Sequence, residues 1–409
     1  MTHIAILGYG TVGSGVAEVI EKNKSEIRRG AGDEIRVKYI LDLREFPGDP
    51  FADRMVNDFA VIEQDPEIAV VVETIGGARV AYEFTRRALS AGKSVVTSNK
   101  ELVATHGTEL MALAREKGVQ YFFEASVGGG IPILRPLCRC LAANRMEKIC
   151  GILNGTTNYI LTKMAREGSD LATALAEAQR LGYAEADPTA DVEGLDACRK
   201  ISILAGLAFG KRVDPEDVYT EGITGITPGD IRCAEAMGRS IKLLGVAARE
   251  SDGRVCAYVA PHLVEKSSPL AGVEDVFNAI LCEGNAVGEV MFYGRGAGKL
   301  PTASAVVADV MTAVRERDNA CPMGWEESEP GYVRPVGEAR HGSLLRLTAP
   351  TGPWEGALAE TLPGAERIDL PDAGKDVFYR IPEMPDAGLA AAEAALAGLA
   401  EEIHAIRMF

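Results

Sequence analysis

The sequence predicts an α/β protein: a doubly wound, Rossmann-type sheet, then a second α+β domain and a small C-terminal βαββα(β) domain. Three observations support this. Strand and helix patterns alternate over about the first 130 of the 409 residues. A glycine-rich loop joins the first strand pattern to the first helix pattern. After about residue 130, helical and strand patterns no longer alternate strictly.

The N-terminal region has the strand–helix alternation of a parallel sheet. Short apolar runs, which are typical of buried parallel strands, occur at residues 3–8, 36–43, 69–74, 94–97 and 119–124. Helical spacing of apolar residues occurs at 12–22, 79–91 and 105–117. The polar stretch 24–34 predicts an inserted loop. We therefore predict a dinucleotide-binding domain over residues 1–130.

Residues 131–300 predict a second domain of mixed helices and strands. A strand over 148–153 leads into a helix that follows Asn154 and that Thr156 or Thr157 would cap. Helices are expected at 169–181, 191–209 and 228–237, and strands near 255–264 and 287–293. Pro301 lies in the first turn of another helix, 301–318, which we expect to pack back on the first domain.

The C-terminal residues predict a small domain behind a linker. Residues 318–337 are rich in Pro, Gly and Glu and are expected to form the linker. In the domain over 338–409, strands are predicted at 343–348, 366–370 and 377–381, helices at 355–361 and 387–402, and a possible last strand at 403–408. The resulting order is βαββα or βαββαβ.

Composition excludes several classes of function. The formal net charge of -16 argues against nonspecific binding to nucleic acid or to an anionic membrane. Apolar runs stay below the roughly 18 residues of a membrane span, and the N-terminus lacks the basic region of a signal peptide. The eight cysteines form no CxxC pair. Reduced thiols in a cytoplasmic protein are expected.

The glycine loop Gly8-Tyr9-Gly10-Thr11-Val12-Gly13 matches the dinucleotide fingerprint. Its three glycines would make the turn, admit a pyrophosphate and let helix and strand pack closely. The alternative is a sharp turn without a ligand. Asp42, at the end of the second strand, suits a ribose hydroxyl, whereas Arg44 suits a 2′-phosphate. The choice between NAD and NADP therefore stays open.

The segment from Gly182 to Lys200 concentrates acids in front of an apolar helix. Asp196 and Lys200 are four residues apart and share a helix face, so the simplest interpretation is a surface pair worth about 0.3–0.5 kcal/mol. The functional interpretation is a lysine that protonates a carbonyl oxygen receiving hydride. Glu185 and Asp191 would then hold an ammonium group on the substrate. Lys100 follows the fourth strand at its carboxyl end, where such sheets bind ligands.

Six segments, in order, make the sequence similar to the homoserine dehydrogenases. They are GYGTVG at 8–13, TSNKELVA at 97–104, EASVGGGIPI at 124–133, GILNGTTNYIL at 151–161, GYAEADPTADVEGLDACRKISILAG at 182–206 and GRGAGKLPTASAVVAD at 294–309. The resemblance implies reversible NAD(P)H-dependent reduction of L-aspartate 4-semialdehyde to L-homoserine, a step in threonine, methionine and isoleucine biosynthesis.

The resemblance also implies roles for individual residues. Lys200 is the implied proton donor with Asp196 as its partner, Glu185 and Asp191 are implied substrate ligands, and Lys100 is the second site lysine. Residues implied along the cofactor are Tyr9, Thr11, Val12, Thr74, Ser98 and Gly298, and a sodium site of mainly backbone oxygens is implied at Glu124, Val127, Gly129 and Ile131.

Many relatives carry a βαββαβ regulatory domain of the ACT type that senses threonine or another amino acid, and they assemble as homodimers or homotetramers. Residues 338–409 have about that order, but their first helix is entered by Gly352-Pro-Trp-Glu-Gly-Ala-Leu358 instead of the usual Gly-Val-Leu. A packing or dimerisation role is an equal alternative. A phosphorylating semialdehyde dehydrogenase would need a cysteine nucleophile near a histidine, and none of the five histidines lies near a cysteine in sequence. A nucleotide or amino-acid sensor without catalysis is the remaining alternative.

Overall fold

The computed structural model describes residues 1–317 and 323–409. Its strands, in chain order, are β1 (Thr2–Leu7), β2 (Ile35–Leu41), β3 (Met55–Val56), β4 (Ile68–Glu73), β5 (Ser94–Thr97), β6 (Tyr121–Phe122), β7 (Met146–Ile152), β8 (Tyr219–Thr220), β9 (Arg239–Arg249), β10 (Val255–Glu265), β11 (Phe277–Gly284), β12 (Gly288–Arg295), β13 (Val333–Arg334), β14 (Arg340–Thr348), β15 (Glu366–Ile368), β16 (Asp376–Pro385) and β17 (Glu402–Met408). Its α-helices are α1 (Thr11–Lys22), α2 (Lys24–Ala31), α3 (Phe59–Gln64), α4 (Arg79–Ser90), α5 (Lys100–Lys117), α6 (Gly155–Glu167), α7 (Leu171–Arg180), α8 (Thr189–Val192), α9 (Leu195–Phe209), α10 (Pro228–Ala236), α11 (Lys299–Arg315), α12 (Trp354–Thr361) and α13 (Asp386–Leu396).

The chain divides into two compact units, of which unit one comprises residues 1–146, 202–215 and 283–329. Its sheet has the strand order β3-β2-β1-β4-β5-β6, and every recorded pair in it is parallel. The order reverses between β1 and β4, as in the doubly wound dinucleotide-binding fold. The prediction of a Rossmann-type parallel sheet is confirmed.

Residues 24–31 form helix α2, so the prediction of an inserted loop over 24–34 was wrong. Ile27 and Ala31, four residues apart, are buried on one side of this helix, and Gly32 ends it in the left-handed conformation with φ of 76°. Two buried side chains can anchor a helix of this length. In a sequence of eight mostly polar residues, however, they form too weak a periodic pattern to predict a helix. This helix explains why Asp42 lies far along the chain from the glycine loop.

Helix α11 belongs to unit one and packs against α1. A Cβ at Gly15 of α1 would come within 2.9 Å of the Lys299 carbonyl oxygen and 3.1 Å of Ala303 Cβ. Lys299 Nζ also pairs with Glu18 at 2.8 Å. The start of α11 is therefore held beside the helix that follows the glycine loop.

Unit two comprises residues 147–201, 216–282 and 330–409. Its sheet follows the order β11-β7-β9-β10-β17-β14-β16-β15. The sequence patterns missed β9 and β11, although nearly every residue between Ile241 and Ala247 is buried. A strand buried on both faces is one continuous apolar run, which periodicity cannot distinguish from a buried helix.

The C-terminal residues form a βαββαβ module from β14 to β17, so the last strand left open by the sequence is present. Its strands are antiparallel in the order β17-β14-β16-β15, the split arrangement of ferredoxin-like domains. Leu345, Leu358, Ile381 and Leu396 are among its core residues. Strand β17 pairs in parallel with β10, so the module continues the sheet of unit two.

Part of the predicted linker 318–337 lies outside the described residues, namely 318–322. The described part is packed. Trp325 is 5% exposed, and its Nε1 donates to Thr108 Oγ1 at 2.9 Å within unit one. In unit two, β13 pairs with β10. Over the described ranges, no helix has both the length and the apolar character that crossing a membrane requires.

Candidate active site

The glycine loop lies at the carboxyl end of β1, where the order of the parallel sheet reverses. Gly8 has φ of 87°, which a residue with a side chain rarely adopts. A Cβ on Gly13 would lie 1.9 Å from the Gly8 carbonyl oxygen. Thr74, after β4, donates its hydroxyl hydrogen bond to the carbonyl oxygens of Leu7 and Gly8, each at 2.9 Å. The loop is thus held so that the N-terminus of α1, from Thr11, points its free N–H groups outward.

Asp42 and Arg44 form a bidentate pair immediately after β2. Asp42 Oδ1 accepts from Arg44 N and Nε, both at 3.0 Å, and its Oδ2 accepts from Arg44 Nη2 at 2.9 Å and from Tyr9 N at 2.7 Å. The hydrogen bond from Arg44 holds the pKa of Asp42 well below its usual range. All of the roughly four acceptor positions of this carboxylate are therefore occupied.

Other residues expected along the cofactor lie at the same edge of the sheet of unit one. Ser98 N donates to Glu73 O at 3.4 Å, at the ends of β5 and β4. Lys100 is the first residue of α5 and is half-buried. Gly298, with φ of 123°, is the N-cap of α11. Val12 is half-buried in the first turn of α1. The parallel topology thus brings together residues that are far apart in sequence.

Glu73 is a buried acid at this edge that sequence reasoning missed, because its strand reads as an ordinary apolar run. It is 0% exposed, and its carboxylate accepts from Thr97 Oγ1 at 2.5 Å and from Ile75 N at 2.6 Å. Burial raises the pKa of Glu73 to about 7. The protonated form is therefore favoured far more than in an exposed glutamate.

Substituting Glu73→Gln is expected to stabilise the protein at pH 8 by about 1–3 kcal/mol. The folded-state pKa of about 7 exceeds the ordinary value of 4.5. The contribution of Glu73 to the free energy of unfolding is therefore fully present below pH 4.5. It is lost as the pH rises from 4.5 through about 7. Glutamine does not titrate, its amide oxygen can accept from Ile75 N, and its amide NH2 can donate to Thr97 Oγ1. Denaturant unfolding at pH 4.5 and pH 8 measures the difference, and an equal change at both pH values would contradict this assignment.

The glycine-rich segment after β6, residues 124–131, is buried except for Gly130. Its backbone packs closely and is held by one buried side chain. The Glu124 carboxylate accepts from the backbone N–H groups of Ile133, Leu134 and Arg135 at 2.6–2.8 Å. A Cβ on Gly128 would lie 2.5 Å from the Ile131 carbonyl oxygen. In residues 1–317 and 323–409, no group of three or more His, Cys, Asp or Glu is arranged to hold a metal ion.

In unit two, Asp196 and Lys200 form a buried ion pair on α9, not a surface pair. Lys200 Nζ donates to Asp196 Oδ2 at 2.7 Å and to the Leu153 carbonyl oxygen at 2.7 Å. The two residues are only 5% and 8% exposed. Taking these charges out of water is costly unless both are paired and hydrogen-bonded, as they are here. The arrangement keeps an ammonium proton donor in a fixed place.

Asp191, at the end of α8, joins this pair through Asn154. Asn154 Nδ2 donates to Asp191 Oδ1 at 2.7 Å and to Asp196 Oδ2 at 2.9 Å. Burial raises the pKa of Asp191, and the nearby Asp196 raises it further. Glu185 is not part of this hydrogen-bonded cluster in the described structure. It is exposed on the turn after α7, where its carbonyl oxygen accepts from Gln179 Nε2 at 3.1 Å.

The cap of α6 differs from the prediction. Asn154, not Thr156 or Thr157, is the N-cap, and its Oδ1 accepts from Thr157 N at 2.8 Å. Thr156 instead donates its hydroxyl hydrogen bond to the Tyr183 carbonyl oxygen at 2.8 Å. Asparagine is among the most favoured N-cap residues. Asn154 precedes both threonines in the sequence, so the helix begins directly after it.

A Rossmann-type sheet with a dinucleotide loop, together with a buried lysine–aspartate pair suited to proton donation, defines a nicotinamide-dependent oxidoreductase. A family model described as "Homoserine dehydrogenase, NAD binding domain" matches residues 8–124, and one described as "Homoserine dehydrogenase" matches residues 132–311. The chain belongs to the homoserine dehydrogenase family. It is an NAD(P)-dependent oxidoreductase that acts on a CH–OH group and reversibly reduces L-aspartate 4-semialdehyde to L-homoserine in threonine, methionine and isoleucine biosynthesis.

Individual relatives agree with this assignment. The chain is 48% identical over 313 residues to homoserine dehydrogenase of Pseudomonas aeruginosa, covering 76% of this chain and 72% of the relative, and 45% identical over 315 residues to that of Bacillus subtilis, with the same coverage. The crystal structure of a homoserine dehydrogenase from Thiobacillus denitrificans matches with a TM-score of 0.92 and 38% identity, covering 100% of this chain and 98% of the other. A hyperthermophilic archaeal homoserine dehydrogenase mutant in complex with NADPH matches with a TM-score of 0.65 and 32% identity, covering 76% and 97%.

Proposed function

We propose that Lys200 protonates the carbonyl oxygen of L-aspartate 4-semialdehyde as the aldehyde carbon receives hydride. The observation that carries this proposal is the position of Lys200 Nζ, 2.7 Å from both Asp196 Oδ2 and the Leu153 carbonyl oxygen. The carboxylate favours the ammonium form, which has the proton that the new alcohol needs. When bound, the reduced nicotinamide supplies the hydride. One hydride and one proton convert the aldehyde to the alcohol.

Asp191 and Glu185 are the proposed anchors of the substrate ammonium group. Asp191 is half-buried beside the Asp196–Lys200 pair, so an ammonium group bound to it would be held close to the proton donor. Glu185 lies on the exposed turn that precedes α8. Lys100, at the carboxyl end of β5, is the proposed second lysine of the reaction. Fixing one end of the substrate lowers the entropic cost of orienting the aldehyde.

The direct test is oxidation of L-homoserine by the purified chain with NADP or NAD, followed by the absorbance of the reduced nicotinamide. Turnover that requires L-homoserine and disappears when Lys200 is replaced supports the proposed roles. A folded protein that binds cofactor but does not turn over would instead favour the sensor alternative.

Cofactor preference is proposed to be for NADP. Asp42 has its acceptor positions filled by Tyr9 and Arg44, so it cannot accept ribose hydroxyls without breaking one of these bonds. The Arg44 side chain is 62% exposed and offers its guanidinium to a 2′-phosphate.

Substituting Arg44→Ala is expected to raise the dissociation constant of NADPH about 10- to 100-fold, since charge-assisted hydrogen bonds to phosphate are lost. Binding of NADH should not weaken, because NADH has no 2′-phosphate and the freed acceptor positions of Asp42 can take its ribose hydroxyls. Titration by nicotinamide fluorescence gives both constants. Arg115→Ala, an exposed arginine in the last turn of α5, is the matched control. Equal losses for both cofactors would contradict the NADP preference.

A sodium ion is proposed at the backbone carbonyls of Glu124, Val127, Gly129 and Ile131. The segment fits a carbonyl site better than a carboxylate site, because both oxygens of the Glu124 side chain already accept backbone N–H groups. Such an ion would be bound by these backbone oxygens, the type of ligand that hard cations prefer.

The C-terminal module is proposed to be an ACT-like regulatory or oligomerisation domain. Its βαββαβ order and antiparallel sheet order support this role. Threonine is the proposed effector, and the proposed assembly is a homodimer or homotetramer. A cytoplasmic location is proposed from the cysteine pattern of the sequence.

A further inference from the structure

Asn154 is the buried N-cap residue of α6 and has an unambiguous amide orientation. Its Oδ1 accepts from Thr157 N at 2.8 Å, and a backbone N–H can only donate. The amide nitrogen must therefore face the other way, towards Asp191 and Asp196, which can only accept when ionised. The residue is 5% exposed, so water does not compete with these contacts.

The amide of Asn154 touches both carboxylates of the site with one nitrogen. Nδ2 carries two hydrogens, and the two acceptors are Asp191 Oδ1 at 2.7 Å and Asp196 Oδ2 at 2.9 Å. The same Asp196 oxygen accepts from Lys200 Nζ, which also reaches the carbonyl oxygen of the preceding residue, Leu153. Residues 153 and 154 thus contact all three charged groups.

We infer that Asn154 is a positioning residue that fixes Asp191 relative to the Asp196–Lys200 pair. The inference rests on the proposed function, in which Asp191 anchors the substrate and Lys200 donates the proton. Two carboxylates brought this close repel each other, and a neutral donor shared between them offsets the repulsion without adding charge. Without the amide, Asp191 loses the hydrogen bond that ties it to Asp196, and the substrate loses its alignment with Lys200.

A purely structural role as the cap of α6 is the alternative, and serine separates the two. Asn154→Ser keeps a strong N-cap, but its short hydroxyl cannot reach both carboxylates. Asp170 caps the neighbouring helix α7 by accepting from Thr173 N at 2.8 Å, and it is exposed. Asp170→Ala therefore removes a cap in unit two without touching the charged cluster.

The experiment compares wild type, Asn154→Ser, Asp170→Ala and Lys200→Ala in homoserine oxidation with NADP. We expect Asn154→Ser to lower kcat/KM for homoserine about 10- to 100-fold. The affinity for NADPH and the melting temperature should stay within the range of the Asp170→Ala protein. The acid limb of the kcat/KM profile should move to higher pH, because Asp191 loses a donor to its carboxylate. Asp196 and Lys200 of α9 and Thr156 of α6, the other groups that affect its titration, are retained.

Each outcome decides one claim. Wild-type kcat/KM and an unmoved acid limb in Asn154→Ser, with Lys200→Ala inactive, would overturn the positioning role and leave the proposed function intact. Wild-type turnover in Lys200→Ala would overturn the proposed function itself. A loss of activity in Asn154→Ser that Asp170→Ala reproduces, with an equal drop in melting temperature, would assign the loss to general destabilisation and overturn the positioning role.

Discussion

Replacing Lys200 by alanine is expected to reduce the turnover of homoserine about 10²- to 10⁴-fold, the range for removal of a general acid. The buried ammonium group is held by Asp196 and by the Leu153 carbonyl oxygen, so another group does not readily take its place. Cofactor affinity should persist, since the dinucleotide loop belongs to unit one and Lys200 to unit two. Steady-state kinetics and nicotinamide fluorescence measure the two quantities separately.

Lys242 provides the matched control for Lys200. It is also a buried lysine of unit two, 4% exposed, and its Nζ donates to Asn158 Oδ1 and the Val273 carbonyl oxygen instead of to the acidic cluster. Burial lowers the pKa of Lys242 to about 8, so its charged form is disfavoured in the folded protein. Replacing it by methionine therefore removes little favourable electrostatic energy. Lys242→Met should retain turnover. If both variants lose activity equally, the loss reflects a disturbed core and not a missing proton donor.

A methyl group at Gly13 is expected to abolish dinucleotide binding and to destabilise unit one by about 3 kcal/mol. The Cβ of Gly13→Ala would lie 1.9 Å from the Gly8 carbonyl oxygen and 2.8 Å from Thr74 Oγ1. The first contact is with backbone, so β1 and α1 must move apart, and the N–H groups of α1 leave the position that a pyrophosphate needs. Thermal unfolding and NADPH titration report the two effects.

Gly10→Ala separates the loss of binding from the loss of stability. A Cβ at Gly10 meets no atom within 4 Å, so the fold should be retained. NADPH affinity should nevertheless fall, because the second glycine of the fingerprint lets the backbone approach the pyrophosphate. If Gly13→Ala is less stable than the wild type but binds NADPH equally well, the close helix–strand packing is not needed for cofactor binding.

Much of the first unit followed from local patterns. The apolar runs of β1, β2, β4 and β5 and the glycine loop before α1 are features of short segments, and the structure forms each of them close to the predicted bounds. The errors arose where burial depends on distant residues. Helix α2 lacks a clear helical pattern because only Ile27 and Ala31 face the core. Strands β9 and β11 lack a period of two because they are buried on both faces.

Local sequence patterns alone singled out the glycine loop and the Asp196–Lys200 pair as candidate site residues. The glycine fingerprint depends on backbone sterics within a few residues, and Asp196 and Lys200 share a helix face because they are four apart. The burial of this pair, in contrast, depends on the segments that pack around α9 and cannot be seen in the spacing. The tertiary structure also decided that Asn154 joins Asp191 and Asp196, which lie 37 and 42 residues away, and that Lys200 reaches Leu153, 47 residues away. The physical reason is that hydrogen-bond partners and burial depend on which segments pack together, whereas spacing along the chain reports only the geometry within one segment.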